Sequence, residues 1–232
     1  MSRGFVKALC LLIAAGVFAN APPALAAQED PRHAEEAAAK IETIAERIVA
    51  AMQDEPSDSA ERRARLEALM EHSLDLAAIT NFALGRHRSS LSTAERLQFE
   101  EVFGDYVVTT YARYVNQHPI HSIVIERTRQ VNDSTAAVST RVGRDEDDDL
   151  VWTWRLHSGD DGYRVVDLQT PSISLAVTYR RHIGAAFDKT DIETLLAILE
   201  DHVSAGTVVP ADSAALHRLF GKSPDMATLE VQ

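Results

Sequence analysis

Three groups of side chains in this 232-residue chain have types and spacings that could do chemistry. His118 and His121 stand three apart, as two metal ligands on one helix face would. Pro119 between them forbids the regular helix that would aim them together, and no second pair of histidines or carboxylates accompanies them. They read as helix-end histidines that cap carbonyls or meet solvent. Asp145-Glu146-Asp147-Asp148-Asp149 carries enough charge for calcium. It lacks the glycine and terminal glutamate of the twelve-residue calcium loop, so it reads as a solvated hairpin tip. Asp167 stands in an otherwise apolar stretch, where a carboxylate could serve as a base in a hydrophobic cavity. The alternative, expected here, is a structural pair with Arg180, or with its neighbour Arg181, on the helix that follows. The chain has no G-x-S-x-G elbow, H-E-x-x-H helix, P-loop or G-x-G-x-x-G turn, so the enzyme classes built on them lose their support. No catalytic residue, metal site or cofactor is expected.

The other distinctive side chains are apolar, and the elements that must position them can be read from periodicity. Ala37, Ile41, Ile44, Ile48 and Met52 form one stripe of a helix over 34–53 that ends at Pro56. A second helix begins near Asp58, in a D-x-x-E relation to Glu61, and buries Leu66, Leu69 and Met70. Short helical pieces follow through Leu74–Phe82. The clearest helix runs from Ser92, whose relation to Glu95 is a capping box, to about Gln117. Its stripe is Phe99, Val102, Phe103, Tyr106, Val107, Thr110, Tyr111 and Tyr114. The period then falls to two, which predicts four strands: around Ile123–Glu126, around Ala136–Val142, over Leu150–Leu156 with Trp152 and Trp154 on one face, and over Tyr163–Leu168. Pro171 opens a helix to about Phe187, and Asp191 caps a last one carrying Leu195, Leu196, Ile198 and Leu199. The expected fold is α+β: a four-stranded twisted antiparallel sheet packed against several helices and enclosing an apolar cavity. The aromatic residues would suit either a filled core or the lining of such a cavity.

Composition narrows the function classes. Hydrophobic residues make up 45% and charged residues 25%, ordinary globular values, while 23 basic against 35 acidic residues give a net charge of −12. That balance disfavours nucleic acid, whose phosphates call for a basic footprint, and steady adhesion to an anionic membrane. Arg3 and Lys7 precede a run of about 12 apolar residues and the A-x-A site Ala24-Leu25-Ala26, the plan of a secretory signal peptide over residues 1–26. The run is short of the roughly 20 residues that a spanning helix needs. Cleavage after Ala26 removes two basic side chains and takes the charge to −14. It also removes Cys10, the only cysteine, leaving no thiol for disulfides, zinc or nucleophilic catalysis. Lys7-Ala8-Leu9 before Cys10 does not fit a lipoprotein site. The folded domain is expected over 27–203, with a loosely ordered tail over 204–232.

Phe82-Ala83-Leu84-Gly85-Arg86, then Leu91 to Phe99, Phe103 and Thr110-Tyr111-Ala112, together resemble the central signature of the MlaC-type periplasmic phospholipid-binding proteins, the toluene-tolerance auxiliary family. Asp161 to Asp167, Ser172-Ile173-Ser174-Leu175 and Tyr179-Arg180 resemble the family's second signature. The likeness covers roughly residues 40–200. It implies a non-enzymatic periplasmic carrier that moves phospholipid between an outer-membrane lipoprotein complex and an inner-membrane ABC transporter complex of the MCE type. Lipid would be cargo rather than cofactor, with acyl chains between sheet and helices and the head group near solvent. The residues expected to touch lipid are Phe82, Leu84, Phe103, Tyr106, Val107, Tyr111, Val138, Trp152, Trp154, Leu168, Ile173 and Tyr179. Asp167 and Arg180 are the expected structural pair. Two positions depart from the family pattern: Ser172 replaces a usual glycine, and His87 a usual aromatic. Hopanoid-associated relatives make a polycyclic lipid the alternative cargo, and an enzyme using the cone-shaped cavity is a further one.

Overall fold

The structure is a computed structural model that describes residues 31–54, 59–118, 120–144 and 150–208. The expected signal peptide, the acidic run 145–149, Pro119 and most of the expected tail lie outside the described residues.

Among the described residues four α-helices come first: α1 (Pro31–Asp54), α2 (Ala60–Ser73), α3 (Leu76–Leu84) and, after a 3-10 turn over Gly85–Ser90, α4 (Thr93–Gln117). The sheet follows as β1 (Ile120–Asn132), β2 (Thr135–Arg144), β3 (Leu150–Gly159), β4 (Gly162–Thr170) and β5 (Ile173–Ser174), and α5 (Leu175–Phe187) and α6 (Ile192–Ala205) close the fold. The class is α+β, but the sheet has five strands rather than four. The extra strand is two residues long, and the helix expected from Pro171 starts only at Leu175. A pair of residues is too short to show a period.

Local chemistry accounts for the boundaries. The α4 capping box forms as read: Ser92 Oγ accepts from the Glu95 amide at 3.2 Å, and Glu95 Oε2 accepts from the Ser92 amide at 2.6 Å. Those hydrogen bonds hold the Glu95 carboxyl below its ordinary range. At α2 the cap is Ser59, which accepts from the Arg62 amide, one residue beyond the expected Asp58, which lies outside the described residues. At the far end of α4, His118 caps a carbonyl, with Nδ1 2.7 Å from the Tyr114 oxygen. The sheet is an antiparallel meander in which each strand pairs with its chain neighbour. Asn132 Oδ1 accepts from the Ser134 amide to shape the first turn, and Gly162 takes φ +88° in the tight turn between β3 and β4.

Helix α1 lies on β1 and also reaches β2 and β4, while α4 packs between α2 and α3 on one side and α6 on the other. Their apolar faces meet in one core that includes Ile41, Phe99, Phe103, Tyr106, Val138, Trp152 and Leu156. No described helix is long and apolar enough to cross a membrane.

Candidate functional site

A small apolar cavity of about 20 Å³ lies between the helices and the sheet. Its walls are Ile48 of α1, Met70 of α2, Leu74, Ile79 of α3, Tyr111 and Val115 of α4, Trp152 and Trp154 of β3, and Val165, Asp167 and Leu168 of β4. That volume holds one water-sized body and no more.

Two local features shape the cavity. The first is a bulge in β4. Leu156 pairs with Val165 and Trp154 with Leu168, so two partners two residues apart on β3 face residues three apart on β4. The extra residue lets Val165 and Leu168 line the same cavity, which strict alternation would forbid. The second is a bridge across the wall. Leu74, between α2 and α3, pairs in parallel with Val165, and the Asp75 amide donates to the Val165 carbonyl at 2.9 Å. Asp75 also caps α3 by accepting from the Ala78 amide, so one junction ties the helices to β4.

Of the twelve residues expected at a lipid, the structure brings Tyr111, Trp152, Trp154 and Leu168 to this cavity. The Trp rings meet edge to face at 5.7 Å, and Trp154 Nε1 donates to the buried Thr140 hydroxyl at 2.9 Å. Phe103, Tyr106 and Tyr179 belong to the same core but stand outside the cavity wall, between α4 and α5, with Tyr179 edge-on to Phe103 at 5.4 Å and to Tyr106 at 6.3 Å. Val107 and Val138 are fully buried in the core, and Ile173 packs against its edge. Leu84, at the end of α3, stands in the wall of a surface cleft, and Phe82 is 40% exposed. Sequence periodicity placed Ile48 and Met70 as core. It gave no sign that they, with Leu74, Ile79, Val115 and Val165, are cavity wall, because wall and core share one pattern.

The expected pair of Asp167 and Arg180 does not form. Asp167 Oδ1 accepts from the Ala176 amide at 2.9 Å, and Oδ2 accepts from Ser174 Oγ at 2.7 Å and Gln169 Nε2 at 2.6 Å. Ser174 Oγ in turn accepts from the Val177 amide. The start of a helix offers unpaired N–H groups and a positive dipole end, and these out-compete an arginine further along the same helix. Asp167 thus anchors α5 to β4, with both oxygens occupied, which removes the reading of it as a general base. Arg180 instead lies over the Phe82 ring, 4.8 Å from its centroid. His87, where the family pattern has an aromatic, stacks on Phe187 at 4.8 Å and so keeps an aromatic's packing. Among the described residues no cluster of His, Cys, Asp and Glu could hold a metal ion.

The family described as MlaC protein matches residues 40–201. No curated protein matches the chain. The fold is similar to that of a phospholipid-binding protein from Ralstonia solanacearum, solved in complex with a phospholipid. The TM-score is 0.61 at 16% sequence identity, and the match covers 72% of this chain and 97% of that one.

Proposed function

Since the chain belongs to the MlaC protein family, we propose that it is a lipid carrier of the periplasm whose cargo is a phospholipid, held by its acyl chains between helices and sheet. The observation that carries this reading is the apolar cavity at the helix–sheet boundary, walled by two tryptophans, a tyrosine and aliphatic side chains. Its one carboxylate is committed to α5. Residues with that chemistry bind hydrocarbon and transform nothing, in keeping with a binding or transport protein rather than an enzyme. The related fold that was solved with a phospholipid bound supports the same use.

An acyl chain leaving a bilayer forfeits about 0.8 kcal/mol for each methylene exposed to water, so a carrier must enclose most of the chain. A volume of about 20 Å³ cannot do so. Loading therefore separates the helices from β3 and β4, and the junction of Leu74 with Val165 is the hinge or the latch of that movement. In this reading residues 1–26 direct export. The exported chain, at −14, docks to protein partners at each membrane: an outer-membrane lipoprotein complex, and an inner-membrane ABC transporter complex of the MCE type.

Native mass spectrometry of the protein purified from its own periplasm tests the proposal. Co-purified diacyl phospholipid is the expected result. A triterpenoid in its place would make the cargo polycyclic, a use for which the flat walls of Trp152 and Trp154 are also suited. Protein that neither retains nor takes up any lipid would overturn the carrier reading.

A further inference from the structure

The surface cleft at the C-terminal end of α3 has a charge opposite to that of the whole chain. It encloses about 490 Å³ between the end of α3, the turn that follows and α5, and it is lined by Arg86, Arg180, Arg181 and His87 together with Leu84 and Val177. Asp188 is the one carboxylate in its wall and pairs with Arg86 at 2.9 Å, both groups being more than half exposed. Exposed pairs of this kind hold weakly and open readily to a better anion. Among the described residues no carboxylate pairs with Arg180 or Arg181. In a chain of net charge −12, three guanidinium groups around one cleft call for a cause.

The arrangement is also built rather than loose. Arg180 is held over Phe82 by a cation–π contact at 4.8 Å. Gly85, at φ +51°, leaves the space the guanidinium occupies, since a Cβ there would lie 3.1 Å from Arg180 Nε. Ile79 faces the apolar cavity and Leu84 the cleft. They stand five positions apart on one helix, about 7.5 Å of axial rise. A charged group in the cleft therefore lies within the length of one amphiphile from the hydrocarbon site.

We infer that this cleft is the head-group subsite of the carrier and that it binds the phosphate ester of the cargo through Arg180 and Arg181, with Arg86 released from Asp188. Planar guanidinium forks match phosphate oxygens two at a time, and Leu84 and Val177 accept the start of the hydrocarbon. The inference rests on the carrier reading and adds to it a selection for anionic phosphate.

The test compares retention of three lipids of the same acyl composition by the full exported chain: dioleoylphosphatidylglycerol, dioleoylphosphatidylcholine and dioleoylglycerol, which lacks phosphate. Both phospholipids should be retained at least tenfold better than dioleoylglycerol. Arg180→Gln/Arg181→Gln should cut phospholipid retention at least fivefold with the melting temperature lowered by no more than a few degrees, and Arg180→Lys/Arg181→Lys should restore part of it. Equal retention of all three lipids would overturn the subsite and leave the carrier intact. Retention of none would overturn the carrier reading, and the subsite with it. If millimolar inorganic phosphate shifts the arginine resonances while the lipids are retained equally, the cleft serves free phosphate, and the head-group assignment fails.

Discussion

Asp167 is buried, yet both its oxygens accept hydrogen bonds from the start of α5 and from Gln169. Asp167→Ala leaves the Ala176 amide and the Ser174 hydroxyl without their acceptor, at a cost of roughly 2–4 kcal/mol. The expected outcome is a melting temperature lower by several degrees. Arg180→Gln loses only the contact with Phe82, about 0.5–1 kcal/mol. Equal destabilisation by the two substitutions in thermal melts would restore the ion pair that this geometry denies. The two tryptophans offer a second check at this scale, because Trp152 and Trp154 are the only ones in the chain and both line the cavity. Phospholipid brominated along its acyl chains should quench most of the intrinsic fluorescence on loading. Full emission from protein shown by mass to be loaded would move the acyl chains elsewhere, towards the cluster of Phe103, Tyr106 and Tyr179. Residue type alone separated neither case. An acid followed by an arginine suggests a pair, and only the position of the helix start decides between them.

At the scale of elements, the caps carry the clearest pH dependence. Hydrogen bonding to Ser92 depresses the folded-state pKa of Glu95 below the ordinary value for a glutamate. Its contribution to stability is therefore present above about pH 4.5 and lost as pH falls through the folded-state value. Denaturation midpoints of Glu95→Gln should lie below those of the parent at pH 7 and converge with them as pH falls through the depressed folded-state value. Ser92→Ala removes the cap itself and should cost about 1 kcal/mol at pH 7. Asp105 works in the opposite sense: burial, with Glu101 and Glu71 nearby, raises its pKa, so it costs stability as pH rises through that range. The helices and the first four strands were readable because each has a full period and most have a cap or turn residue at a boundary. β5 was not, since Ile173-Ser174 is a pair. The β4 bulge was not either, since Tyr163–Leu168 reads as a plain strand until its register against Trp154 and Leu156 is known.

For the whole molecule, the α+β class followed from the change of period after Gln117, but the distribution of the expected lipid contacts did not. Phe103 and Tyr111 lie on one predicted stripe of α4 and yet meet different partners, because eight residues put them about 12 Å apart along the helix axis, Phe103 against Tyr179 of α5 and Tyr111 in the cavity wall with the tryptophans of β3. Opening of the cavity is a property of this scale. Leu74→Cys/Val165→Cys would join the α2–α3 junction to β4 across neighbouring bridge residues, and Cys10 is the only native cysteine to compete with them. The oxidised double variant should take up less than a tenth of the phospholipid bound by the parent, with uptake recovered on reduction. Normal uptake while oxidised would show that the helices part from the sheet elsewhere. The packing of α1 has a consequence of another kind. Its apolar stripe, Ile41, Ile44 and Ile48, is buried, and α1 packs chiefly on β1, with α2, β2 and β4 beside it; the strands begin some 80 residues or more after Ile41 in sequence. A chain emerging from its N-terminus presents that stripe long before the sheet exists to cover it. Completion of the fold is then a late docking event, and during biogenesis α1 is the segment a chaperone would need to shield.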